Sequence, residues 1–215
     1  SLIAAARRPV IIVGLDAVAA APTIRAAVES AGVPFLVTYE AKGIVSDSSP
    51  HHAGFFTGVA AEMPLLTAAD VIIGIGLDSV EPMPGPWPHA ADVVLLHSHP
   101  VETTYFGNPT LVVGDYATLI PDVLPSVTGT WPDGYDRPDL AAALMELAGS
   151  APLRPQDVVS IAHERFPGAL ITVDAGAHML VAMPLWRSAA PNDVLISNGL
   201  ATMGFALPAA IAAAI

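Results

Sequence analysis

Residues 9–14 read PVIIVG. Four β-branched side chains in a row, opened by a proline and closed by a glycine, suit a strand buried on both faces: such side chains fit a pleated surface, and no polar position alternates with them. Strands apolar throughout belong to parallel sheets covered by helices on each side. Working outward, the same signal recurs at Val33–Thr38 (VPFLVT), Asp70–Ile75 (DVIIGI), Asp92–His97 (DVVLLH) and Thr110–Val113 (TLVV). Helical stretches fall between them. Ala21–Ala31 has Pro22 near its start and Gly32 after its end, the expected asymmetry of helix termini. Leu65–Ala69 and Tyr116–Leu124 are shorter. The alternation predicts an α/β fold, a Rossmann-like open parallel sheet with flanking helices, over residues 1–127.

Composition then shifts. Ser126–Pro138 (SVTGTWPDGYDRP) is rich in Gly, Pro, Thr and Asp, without periodicity, and reads as a linker. With a short helix at Asp139–Ala148 and the break SAPLRP, the linker region spans 128–152. A helix is expected at Pro155–Arg165, a strand at Ala169–Val173, a helix at His178–Trp186, a strand at Asp193–Ser197 and a final helix opened by Pro208. Two strands are too few to bury a parallel sheet, so residues 153–215 read as the first part of an incomplete second α/β domain. No internal repeat is visible.

The chain of 215 residues is 53% hydrophobic and 13% charged, against about 25% charged in ordinary soluble domains. A membrane span needs roughly 18 consecutive apolar residues. The longest run, Phe205–Ile215, is shorter and contains Pro208, so we expect no membrane segment and assign the excess apolar surface to burial between domains or subunits of a homo-oligomer. The net charge of −12 argues against nucleic acid, which needs a clustered basic surface. Lys42 is the sole lysine and cysteine is absent, which excludes disulfides and thiolate chemistry and fits a cytoplasmic location. The N-terminal SLIAAARRPVIIVG does not have the order of a signal peptide.

Four motifs could carry chemistry. Gly74-Ile75-Gly76 follows a strand but lacks the third glycine of a dinucleotide fingerprint, and reads as a strand-end turn that needs small residues. His97 and His99 fall on one face of a strand end, about 6–7 Å apart at strand rise; the spacing supplies no third ligand, and no metal site is read. Asp174-Ala-Gly-Ala-His178 sits where a strand meets a helix, where backbone N–H groups can bind an anion and His178 could donate to a phosphate oxygen. Ser197-Asn-Gly-Leu-Ala-Thr-Met-Gly204 also joins strand to helix. Its small residues permit close approach to a flat ligand, and Met203 offers a polarizable side chain to pack beneath a ring. Ordinary βα turns and a core methionine are the plain alternatives for these last two.

The last two motifs in this order, followed by Pro208-Ala-Ala-Ile211, resemble the thiamine diphosphate-dependent enzymes of the acetolactate synthase, pyruvate oxidase and decarboxylase type. Members there read approximately D-V-G-Q-H and then, after a spacer, S-G-G-L-G-T-M-G-F-G-L-P-A-A-I-G-A. Residues 33–58 (VPFLVTYEAKGIVSDSSPHHAGFFTG), 68–78 (AADVIIGIGLD) and 112–115 (VVGD) are similar to that family's central domain. The resemblance covers nearly the whole chain. It implies the central domain plus the beginning of the diphosphate-binding domain of a longer three-domain enzyme.

By resemblance, Gly176, Ala177 and His178 stand where the family contacts the diphosphate, with Ala177 in place of the usual glutamine. Ala201 C=O and Met203 N–H stand where it holds the aminopyrimidine, and Met203 would support the bent cofactor. The cofactor would serve as electron sink for decarboxylation of a 2-keto acid, or for acetolactate synthase-like carboligation. The family's catalytic glutamate and its Mg²⁺ ligands are expected outside these 215 residues. No catalytic and no metal-binding residue is therefore assigned here, and the chain alone is expected to be inactive. Some members also hold FAD or an ADP-containing molecule in the central domain. Here Leu77-Asp78 and His97-Ser98-His99-Pro100 replace the family's arginine and ribose-binding carboxylate, which argues against FAD. The rival reading is a non-catalytic Rossmann-like nucleotide-binding or assembly module.

Overall fold

The computed structural model describes residues 1–58, 60–137, 140–146, 151–197 and 199–215. After the short α1 (Leu2–Ala5) come β1 (Pro9–Val13), α2 (Ala21–Ala31), β2 (Phe35–Val37), β3 (His52–Phe55), α3 (Met63–Ala68), β4 (Val71–Ile75), β5 (Asp92–His97), β6 (Thr110–Val113) and α4 (Tyr116–Val123). The six strands form one sheet in the order β3-β2-β1-β4-β5-β6, and every pairing is parallel. This is the doubly wound order of Rossmann folds, with the chain direction switching between β1 and β4.

Alternate side chains of the same strands feed two cores, as the two-residue period of a strand requires. Ile11 and Val13 pack with Ile24 and Val28 of α2 and Ile120 of α4. Val10 and Ile12 pack with Leu65 and Leu66 of α3, Phe106 and Trp131. Because both faces are covered, the strands carry no polar alternation, which is why PVIIVG could be read.

The sheet has six strands where the apolar runs of the sequence predict five. β3 is the edge strand HAGF, with His52 and Gly54 only half-buried, so it lacks the continuous apolar run of a central strand. β2 is shorter than expected and starts after Pro34, which has no N–H to give a ladder.

The stretch read as a linker is packed at its start. Trp131 is buried against the second core, and its Nε1–H donates to Pro9 O at 2.8 Å. The predicted helix at Asp139–Ala148 is observed as α5 (Leu140–Glu146); Asp139, Leu147 and Ala148 lie outside the described residues, as do Pro138 of the linker and Ser150 of the break.

Then follow α6 (Pro155–Arg165), β7 (Ile171–Val173), α7 (Ala177–Leu185), β8 (Val194–Ile196) and α8 (Ala206–Ala213). β7 and β8 pair in parallel as a second, two-stranded sheet, consistent with an incomplete second α/β unit. Val173, Ala182, Met183, Trp186 and Val194 form its small core. α8 begins at Ala206 rather than at Pro208. The proline sits in the first turn, where its missing N–H would have had no intrahelical partner.

The two sheets are joined by polar contacts between residues 25–47 and 188–189. Arg25 on α2 donates to Ile44 O at 2.7 Å, Gly43 O at 2.7 Å and Ala189 O at 2.8 Å. Buried Lys42 pairs with Asp47 and lies 4.6 Å from the Phe55 ring centroid. Asp47 Oδ2 also accepts the Ser188 N–H at 2.9 Å.

Candidate functional site

The β7–β8 register matches Ile171 with Val194 and Val173 with Ile196, so both strands end side by side. Ligands of open α/β sheets bind at such carboxyl ends, and both small-residue turns leave from them. The turns are held together by Asp174. Its Oδ1 accepts the Ala206 N–H at 2.6 Å, and the Gly204 and Phe205 amides lie near the same carboxylate. The Ala206 amide above all, with the Gly204 and Phe205 amides and nearby His178 adding to it, holds the Asp174 carboxyl below its ordinary range against an opposing effect of desolvation. Thr172 Oγ1 donates to Ala206 O at 2.8 Å and anchors the same point.

Gly176, Ala177 and His178 lie at the exposed start of α7. Gly176 has φ 152°. A Cβ there would lie 2.9 Å from His178 Cε1 and 3.0 Å from Nδ1, because the imidazole folds back over it. Any side chain at 176 would fill this space. No side chain caps α7; the Met179 N–H bonds back to Gly176 O at 3.0 Å, which leaves the Ala177 and His178 N–H groups at the positive end of the helix dipole. A cradle kept open by glycine at an uncapped helix start fits a diphosphate, with Ala177 adding no side-chain donor.

Ala201 and Met203 lie on the loop between β8 and α8. Ala201 has φ 46°, a left-handed conformation that alanine adopts only under constraint. Among the described residues, neither the Ala201 carbonyl nor the Met203 N–H has a hydrogen bond. Leu200 is 89% and Met203 81% exposed. The loop therefore presents two free backbone groups and an apolar side chain, which fits an aminopyrimidine face. Asn198 lies outside the described residues. Among the described residues no hydrogen bond links 176–178 directly to 201–203; Asp174 supplies the connection, a role that sequence reading missed because its partner is 32 positions away.

At the first sheet, Gly74 and Gly76 serve packing. A Cβ on Gly74 would lie 2.7 Å from Leu95 Cδ2, and one on Gly76 would lie 2.4 Å from Ala17 N. His97 is fully buried, with Nε2 3.0 Å from Leu77 O; burial lowers its pKa. Its ring centroid lies 6.2 Å from that of His99, and Asp16 approaches both rings at 3.7 Å. Among the described residues, no group of three or more His, Cys, Asp or Glu could hold a metal ion, and no helix is long and apolar enough to cross a membrane.

Comparison with known proteins bears on the fold and the family of the chain. A solved structure of a thiamin diphosphate-dependent enzyme from Mycobacterium smegmatis superposes over 97% of this chain and 42% of its own, with a TM-score of 0.73 at 18% identity; at that identity the likeness concerns the fold. The acetolactate synthase of Mycobacterium bovis is 29% identical over 100% of this chain and 38% of its own length. That of Bacillus subtilis is 26% identical over 98% and 40%. The chain thus spans about two fifths of the relatives it matches. Residues 174–215 match the C-terminal TPP-binding domain of thiamine pyrophosphate enzymes. Residues 1–121, more than half the chain, match the central domain of the same enzymes, and the chain belongs to the thiamine pyrophosphate enzyme family.

Proposed function

We propose that this chain is the central scaffold and one half of the cofactor pocket of a thiamine diphosphate-dependent enzyme that acts on 2-keto acids, by decarboxylation or acetolactate synthase-like carboligation. On this reading residues 1–127 are the central domain, 128–152 the linker, and 153–215 the start of the diphosphate-binding domain. The observation that carries it is the Asp174 tie, which links the turn ahead of an uncapped helix start to the loop that carries the Ala201 carbonyl and the Met203 N–H, both leaving the ends of two parallel strands.

The Gly176, Ala177 and His178 segment would hold the diphosphate through the first-turn N–H groups of α7. The Ala201 carbonyl would accept from the aminopyrimidine, the Met203 N–H would donate to it, and the Met203 side chain would back the ring. When bound, thiamine diphosphate supplies the carbon nucleophile and the electron sink that 2-keto acid chemistry needs. On this reading the chain's residues bind and orient the cofactor, and the proton transfers fall to groups from the rest of the enzyme. The magnesium ligands and the proton-transfer glutamate would come from other parts of a longer, cytoplasmic, homo-oligomeric enzyme, and the 215 residues alone would not turn over pyruvate.

Titration of the labelled chain with thiamine diphosphate and Mg²⁺, followed by amide resonances, tests this. Saturable shifts confined to residues 174–178 and 199–206, without CO₂ release from pyruvate, are expected. Shifts elsewhere, or turnover, overturn the reading.

A further inference from the structure

The ends of β1 and β4 form the switch point of the sheet, the crevice where Rossmann folds place the phosphates of a nucleotide against backbone N–H groups. In this chain a side chain lies there. Both carboxylate oxygens of Glu81 accept the Leu15 N–H at 3.1 Å, Oε1 accepts the Asp78 N–H at 2.9 Å, and Oε2 accepts from Thr38 Oγ1. Leu15 opens the helical turn that follows β1, so its N–H is the first donor a phosphate would meet. A Cβ built on Gly14 would stand 2.7 Å from Glu81 Oε1. The carboxylate thus lies directly over the glycine whose bareness would let a phosphate approach.

We propose that Glu81 is the resident anion of this crevice and closes it to nucleotides. Three donors from three segments converge on one carboxylate, which occupies the Leu15 and Asp78 N–H groups that a diphosphate would use. A second carboxylate guards the rim: Asp16 accepts from Tyr116 at 2.7 Å and from Ser98 Oγ at 2.9 Å. A nucleotide would have to displace the first and approach the second, both of its own sign. Glu81 therefore sets what the central domain refuses. The small residues at 14 and 76 then serve the close β1–β4 crossing rather than a ligand. The cofactor pocket at β7 and β8 is independent of this assignment.

The test uses the isotope-labelled chain, ADP and FAD at millimolar concentration, and a pH titration. At pH 8 neither ligand is expected to move the Leu15 or Asp78 amide resonances. Saturable shifts at these amides would overturn the proposal. Without ligand, both amides are expected to follow the ionisation of one neighbouring carboxyl, and Glu81→Gln is expected to abolish that common titration. Glu40 and Asp78 remain in the variant, so a titration that persists would be theirs and would also overturn it. Should the variant fail to fold, the ligand titration and the shared midpoint of Leu15 and Asp78 in the unaltered chain still decide.

Discussion

Asp174 reaches Ala206 at 2.6 Å and so fixes the spacing between the end of β7 and the start of α8. An oxygen at this position acts as a cap for a helix that its own N-terminal residue, Phe205, leaves uncapped. Asp174→Ala is expected to speed amide exchange at residues 204–206 about five- to tenfold, the usual reach of a lost cap, and to weaken thiamine diphosphate binding, while the six-stranded sheet keeps its exchange rates. Its carboxyl is held below the ordinary value of 3.8. The tie therefore persists above that pH and is lost as acid protonates the folded carboxyl.

Glu81 predicts the opposite pH slope. Desolvation, set against hydrogen bonds from Thr38, Asp78 and Leu15 and aided by Glu40, pushes its carboxyl up from 4.5 to about 7. A raised folded value stabilises the protein below the unfolded value, and that contribution fades as pH rises through the folded one. Between pH 4.5 and about 7 the chain should lose about 3 kcal/mol relative to Glu81→Gln. Parallel urea titrations of the two proteins at several pH values measure the difference.

The Lys42–Asp47 pair offers a double-mutant test. Asp47→Ala leaves a buried ammonium without its carboxylate and should cost about 3–5 kcal/mol. Replacing both with apolar residues, Lys42→Met with Asp47→Leu, should recover much of that loss, less the hydrogen bond to Ser188. Chemical denaturation of the single and double variants gives the coupling.

Trp131 tests the packed start of the linker. Trp131→Phe keeps an aromatic ring, though a smaller one, but removes the donor to Pro9 O, and should cost about 1–2 kcal/mol. Trp131→Ala empties its place beside Val10 and Ile12 and should cost about 3–5 kcal/mol. Thermal unfolding of both variants ranks them.

Local signals in the sequence sufficed where each segment carries its own reason to fold. α2 between Pro22 and Gly32, the apolar β5 and β6, and α6 opened by Pro155 all run over the expected residues. β3 was hidden because an edge strand borrows its burial from neighbours. Trp131 was hidden because a Gly/Pro-rich stretch conceals one anchoring ring. At the candidate site, the small-residue turns were visible as composition, but the Asp174 tie was not. Glu81 shows the same limit: its donors come from positions 15, 38 and 78, and only the folded sheet brings them to one point.

Arg25 gives the molecule a further property. One guanidinium holds carbonyls of Gly43, Ile44 and Ala189, two beside the large sheet and one beside the small. Parting the sheets would strip a carbonyl from the cation and free Asp47 and Ser188 from each other. The β7–β8 half thus has little independent freedom to swing: its melting is coupled to that of the central sheet, and both should disappear in a single cooperative step.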